Sequence, residues 1–106
     1  MSRNATEEAY NIVADAIRFR RSLTANFEND ILHFSPHVLG IDLDGKQAVL
    51  GFRYVPNRPG RLPLMRDWCF CPLDGLRDII LNHDKWLPGP LESVPNKLFR
   101  KIDLKV

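Results

Sequence analysis

Apolar residues follow two different periods along this chain, and the change of period marks its architecture. Ala9, Ile12, Val13, Ala16 and Ile17 are spaced i, i+3, i+4, i+7 and i+8, which makes one stripe along a helix. The spacing predicts a helix over about residues 5–20. Asn4 or Thr6 caps it, Glu7 and Glu8 stand in its first turn, and Arg18, Arg20 and Arg21 stand in its last, so charge complements the helix dipole at both ends. Such a helix needs a surface to pack on.

From Leu23 the period is two. Leu23, Ala25 and Phe27 alternate with Thr24, Asn26 and Glu28; the turn-prone Glu28-Asn29-Asp30 and then Ile31–Phe34 follow. This predicts a hairpin over about 22–35 that stops at Pro36, which has no N–H to give a central ladder. The clearest signal comes next, over Pro36–Tyr54. His37–Leu43 and Lys46–Tyr54 flank Asp44-Gly45, and Asp-Gly between alternating runs predicts a two-residue type I′ turn. That turn would pair Leu43 with Lys46, Ile41 with Ala48, Leu39 with Leu50 and His37 with Phe52. Leu39, Ile41, Ala48, Leu50 and Phe52 would then form a core face, opposite Val38, Gly40, Asp42, Gln47, Gly51 and Arg53. A slip of one residue would turn that core face to solvent.

Beyond Tyr54 the chain from Val55 to Pro63 carries three prolines and a glycine and reads as an irregular loop. Trp68–Leu73 reads as a strand with Trp68 and Phe70 on one side and Cys69 and Cys71 on the other. Leu76, Ile79 and Ile80 fit a short helical turn, and Asn82–Asn96, with three prolines, fits coil. Ile102, Leu104 and Val106 alternate with lysine and aspartate as an edge strand would. The expectation is one domain over 1–106, with 81–106 as a C-terminal extension. Its class is α+β, mainly β: an N-terminal helix packed on a small antiparallel open barrel of about five strands.

Composition narrows the function classes only a little. A chain of 106 residues with 44% hydrophobic and 26% charged residues is an ordinary globular domain. A net charge of +2 does not by itself imply a nucleic-acid partner. No apolar run approaches the roughly 20 residues of a membrane span, and the polar start shows no signal-peptide pattern. Cys69 and Cys71, two apart on one strand, are poorly placed for a mutual disulfide, which fits a reducing cytoplasmic setting.

Among candidate chemistries, Cys69 and Cys71 with His33, His37 and His83 supply zinc-ligand types, but the paired C-x₂-C knuckles of a zinc ribbon are missing. A Cys–His nucleophile pair is a third, enzymatic option; the sequence holds no G-x-S-x-G, P-loop, H-E-x-x-H or G-x-G-x-x-G. The expectation is therefore no enzyme, no metal and no cofactor. The most suggestive feature is a run of arginines. Arg53, Arg58, Arg61 and Arg66 fall between the hairpin and the next strand, with no acid until Asp67, and Tyr54 and Trp68 flank them. Guanidinium forks suit phosphate or carboxylate, and neighbouring rings can stack on a base. The bland alternative is a solvated loop that carries arginines for solubility. His37 would sit at the open end of the hairpin's core face as a hydrogen-bonded histidine.

The order of features resembles the WYL domain family. The resemblance rests on Ile17-Arg18-Phe19-Arg20-Arg21, Ser35-Pro36-His37-Val38-Leu39-Gly40, Asp44-Gly45-Lys46, Val49-Leu50-Gly51-Phe52 and the ending Phe70-x-x-Leu73-Asp74-x-Leu76, and covers about residues 10–81. It implies an SH3/Sm-like barrel of the kind found as ligand-sensing parts of bacterial transcription regulators and some phage-defence proteins, binding nucleotides or nucleic acids through basic residues. The tripeptide that names the family would fall at Ala48-Val49-Leu50, where only the leucine agrees, and Gly75 stands where an arginine is usual. About 20 residues precede the first strand, too few for a helix-turn-helix, so this chain alone would not be a complete regulator.

These readings converge on a regulatory or sensing module that binds an anionic ligand, a nucleotide or a single-stranded nucleic acid, through Arg53, Arg58, Arg61, Arg66, Tyr54, Trp68 and His37. The competing expectation is a structural protein acting through homodimerisation or a protein partner.

Overall fold

A computed structural model describes residues 5–55, 64–95 and 97–106. Helix α1 spans Ala5–Arg18, and six strands follow: β1 Arg21–Phe27, β2 Asp30–Asp42, β3 Gln47–Val55, β4 Leu64–Pro72, β5 Arg77–Lys85 and β6 Phe99–Lys105. Short 3₁₀ turns occupy Leu73–Gly75 and Leu91–Ser93. The helix packs on an antiparallel sheet in the order β4-β3-β2-β1-β5, with β6 paired to β2 off that path. The sheet is not closed. The expected α+β, mainly β architecture of a helix on an open barrel is present, with six strands rather than about five.

The helical stripe behaves as its spacing predicts. Ala9, Val13, Ala16 and Ile17 are buried and Ile12 packs against the same core, which includes Leu23, Ala25, Leu32, Phe34, Leu39, Val49, Cys71 and Leu73. The helix ends where Arg20 takes a left-handed φ of 54° and turns the chain into β1. The Tyr10 hydroxyl donates to Asp103 Oδ2 at 3.0 Å and ties α1 to β6.

The type I′ turn expected at Asp44-Gly45 is found instead at the first hairpin. At Glu28-Asn29 both φ values are positive, 52° and 66°, and Phe27 pairs with Asp30. That is the two-residue type I′ geometry. At the second hairpin only Gly45 has positive φ, at 86°. Gly45 N–H donates to Asp42 O at 3.1 Å and Asp42 N–H donates to Lys46 O at 2.7 Å, so the loop is three residues long. Asp42 selects it: its Oδ1 accepts the N–H groups of Asp44 and Lys46, each at 2.9 Å.

That extra loop residue corrects the expected register by one. Ile41 pairs with Gln47, Gly40 with Ala48, Leu39 with Val49 and Val38 with Leu50. Leu39 and Val49 therefore face α1, while Val38, Ala48, Leu50 and Phe52 lie on the opposite face. The slip exposes little, because both faces of this hairpin are largely buried: Leu39, Ala48, Val49, Leu50 and Phe52 are all at most 4% exposed, while Ile41, expected in the core face, is only half-buried. Phe70 and Phe99, with ring centroids 5.3 Å apart, pack on the second face beside Leu50.

Pro36 does not end a strand. β2 continues through it to Asp42, pairing with β1 up to Phe34 and with β6 from Val38, on the same edge. Pro36 sits at a register shift in the gap between these two partners, where its missing N–H costs no strand–strand bond. A second correction concerns Leu76–Asn82. Arg77–Lys85 forms β5 on the outer edge of β1 rather than a helical turn, and only the chain after Lys85 is irregular. The β-branched pair Ile79-Ile80 fits a strand once β1 offers a free edge. The edge strand expected at the C-terminus is present as β6.

Candidate functional site

The gap on the β2 edge is filled by Trp86–Gly89. Trp86 Nε1–H donates to Pro36 O at 2.9 Å, and Leu87 N–H donates to Ser35 Oγ at 2.9 Å. His37 bonds at both ring nitrogens: Nδ1–H donates to Ser35 O at 2.7 Å and Nε2 accepts Gly89 N–H at 3.1 Å. This pair of bonds is that of a neutral ring. Burial holds the His37 pKa below its ordinary value and the Arg20 charge lowers it further, against the opposing bond to Ser35. The ring lies 4.8 Å from Trp68 and 4.5 Å from Trp86, and Trp68 also meets Phe52 edge to face. His37 and Trp68 are thus parts of an aromatic clasp that pins Trp86–Gly89 to the sheet.

Arg53, Tyr54 and Arg66 come together elsewhere. With Ile31, Leu32, His33 and Val55 they line a cleft of about 480 Å³ at the outer end of β2, β3 and β4. Its shape depends on a β-bulge. Phe52 pairs with Trp68 but Tyr54 pairs with Met65, so the single residue Arg53 opposes both Arg66 and Asp67. Arg53 Nε–H donates to Asp67 Oδ1 at 2.9 Å. That bond uses one of the five guanidinium donors, and among the described residues both terminal amino groups remain for another acceptor. Among the described residues Arg66 makes no ion pair. Arg58 and Arg61 fall outside the described residues.

His33 is the cleft residue that sequence reasoning considered only for a metal. It belongs to a polar relay across β5, β1 and β2. Asn82 Nδ2–H donates to Ser22 Oγ at 3.3 Å, and the Thr24 hydroxyl donates to Asn82 Oδ1 at 3.0 Å. Thr24 has one proton, so its 2.9 Å contact with His33 must be acceptance of Nδ1–H. Nε2 is the ring's remaining polar atom. The His33 ring also stands 6.3 Å from that of Tyr54, which is only 4% exposed and so presents little face to a stacking base. The alternation of β2 places His33 on the face away from Phe34, but its neighbours come from β1, β3 and β5, which no local pattern reveals.

Arg53 also lines a smaller neighbouring cleft, of about 160 Å³, together with Cys69 and Cys71. Cys69 and Cys71 are free thiols on one face of β4. The hydrogen bond to Cys71, together with burial, pushes the Cys69 pKa up, so Cys69 stays a thiol. Among the described residues no group of three or more His, Cys, Asp or Glu side chains gathers to hold a metal ion. A third cleft, of about 420 Å³ between α1 and β5, sets Glu8, Asp74 and Asp78 against Arg77 and does not suit an anion. Among the described residues no helix is long and apolar enough to cross a membrane. The resemblance to WYL domains rests on the sequence motifs alone, because comparison with known proteins finds no matching family model, no similar curated protein and no similar solved structure.

Proposed function

We propose that this chain is a non-enzymatic regulatory or sensing module that binds an anionic ligand, a nucleotide or a single-stranded nucleic acid, in the cleft between β2, β3 and β4. The convergence of Arg53 and Arg66 on one cleft, with the Arg53 fork directed by Asp67, carries this reading. Arg58 and Arg61 lie between them in sequence and add positive charge to the same connection. Fluorescence anisotropy with single-stranded RNA and DNA at two salt concentrations tests it. Binding should weaken at high salt and fall by tenfold or more in the R53A/R66A double variant. No binding at low salt, or binding indifferent to both arginines, overturns it.

A homodimer is the competing reading. It is favoured by β5, an outer strand of the sheet on which Ile80 is 59% and Leu81 41% exposed. Light scattering across a concentration series separates the two, since a strict monomer that binds oligonucleotide leaves the first reading alone.

A further inference from the structure

We propose that Cys69 and Cys71 form a two-coordinate site for a soft monovalent metal ion, copper(I), in the small cleft beside Arg53. The two residues stand at i and i+2 on β4, so both side chains lie on the face of the sheet that packs under α1. Their partners across the β3–β4 ladder are Val49 for Cys71 and Gly51 for Cys69. Cys71 belongs to the buried core, and Cys69 packs against it half-buried. Both line the cleft of about 160 Å³, which has room for an ion but not for a bulky ligand. The Cys69 thiol donates a hydrogen bond to Cys71, so the two sulfurs are already turned toward each other.

The donor set selects the ion. Thiolate sulfur is soft and favours copper(I) and zinc over magnesium or calcium. Zinc takes four ligands in a structural site and three with a water in a catalytic one. Among the described residues no third His, Cys, Asp or Glu gathers with the pair to hold a metal. Glu28 and Asp30 line the same cleft but are exposed on the β1–β2 hairpin turn. Copper(I) is satisfied by two thiolates in a line. Its binding displaces both thiol protons to solvent and leaves a copper bis-thiolate unit with a single negative charge. Arg53, on the same cleft, acts on both sulfurs and offsets that charge. The bond from Cys69 also holds the Cys71 thiol below its ordinary pKa, against burial, so one of the two protons leaves readily. The i, i+2 spacing on an extended strand disfavours the mutual disulfide that would destroy the site.

The test titrates the reduced full chain with copper(I) under anaerobic conditions, in competition with bicinchoninate. One ion per chain should transfer to the protein and give an ultraviolet thiolate-to-copper band. X-ray absorption at the copper edge should show two sulfur neighbours and no nitrogen or oxygen. C69S, at the half-buried position, should lower the affinity by about a hundredfold or more while circular dichroism stays that of wild type. C71S should do the same; if a buried serine unfolds the chain, C69S alone decides. H33N lies outside the site and should bind copper as wild type does. Zinc offered at the same concentration should not be retained. Failure to withdraw copper(I) from bicinchoninate, equal affinity of C69S and wild type, or nitrogen or oxygen neighbours in the X-ray spectrum overturns the proposal. Retention of zinc that is lost in C69S overturns the two-coordinate assignment. A complex of two chains per ion in light scattering also overturns it, because the thiols would then come from different molecules. None of these results depends on whether the chain binds an anion.

Discussion

The clasp around His37 makes a quantitative prediction, because one side chain holds several groups at once. Replacing His37 by alanine leaves the buried Gly89 N–H and the Ser35 carbonyl without their partners. Each orphaned buried group costs about 1–3 kcal/mol. The ring contacts with Trp68 and Trp86 add roughly 0.5–1.5 kcal/mol each. The expected loss is therefore about 3 kcal/mol or more, a large part of the 5–15 kcal/mol typical of a whole domain. Acidification should act through the same group. The folded state holds His37 below its ordinary value of 6.5, so on lowering the pH the unfolded chain takes up the proton first. The stability linked to His37 is complete above that pH and is lost as the pH falls toward the folded-state value, at no more than about 1.4 kcal/mol per pH unit. Protonation also places an N–H at Nε2 opposite Gly89 N–H, two donors face to face. Urea unfolding followed by circular dichroism, from about pH 7.5 to 5.5, should show a steeper loss for the wild-type chain than for H37Q, which keeps an acceptor and does not titrate. Tryptophan fluorescence should change with it, because Trp68 and Trp86 flank the ring. A His37→Ala variant within about 0.5 kcal/mol of wild type would refute the account, as would parallel pH curves for wild type and H37Q.

Gly89→Ala should disturb the same clasp, since its Cβ would meet Trp68 Cζ2 at 2.6 Å and Phe52 Cδ1 at 2.7 Å. A loss of about 1–3 kcal/mol with altered tryptophan emission is expected in urea unfolding. Asp42→Ala removes the acceptor for two turn N–H groups and should cost about 1 kcal/mol in thermal unfolding. Phe34→Ala empties the largest fully buried position and should cost about 3–5 kcal/mol by urea titration.

Part of the candidate site was legible. Arg53 and Arg66 stand out as basic residues either side of a loop, and the structure brings both to one cleft. His37 and Trp68 carry the same chemical promise in the sequence but are used on each other and on Trp86–Gly89. His33 was visible only as a histidine. Its orientation depends on Thr24 and Asn82, and Asn82 is far away in sequence on a strand that local pattern misreads as a helical turn followed by coil.

The sequence by itself determined the positions of the helix, most strands and both turns, because these follow from spacing of apolar residues and from residues that tolerate tight backbone. It did not determine the register of the Pro36–Tyr54 hairpin. That was decided by the Asp42 carboxylate, which draws Asp44 and Lys46 into a three-residue loop in place of the two-residue one. Alternation could not flag the error, because an open barrel largely buries both faces of this hairpin and either register hides apolar residues. The tertiary structure alone decided the path through Pro36, where β2 exchanges β1 for β6, and the bulge that sets Arg66 and Asp67 opposite Arg53. Both are matters of which strand lies alongside, and that is a property of the assembled sheet rather than of any single segment.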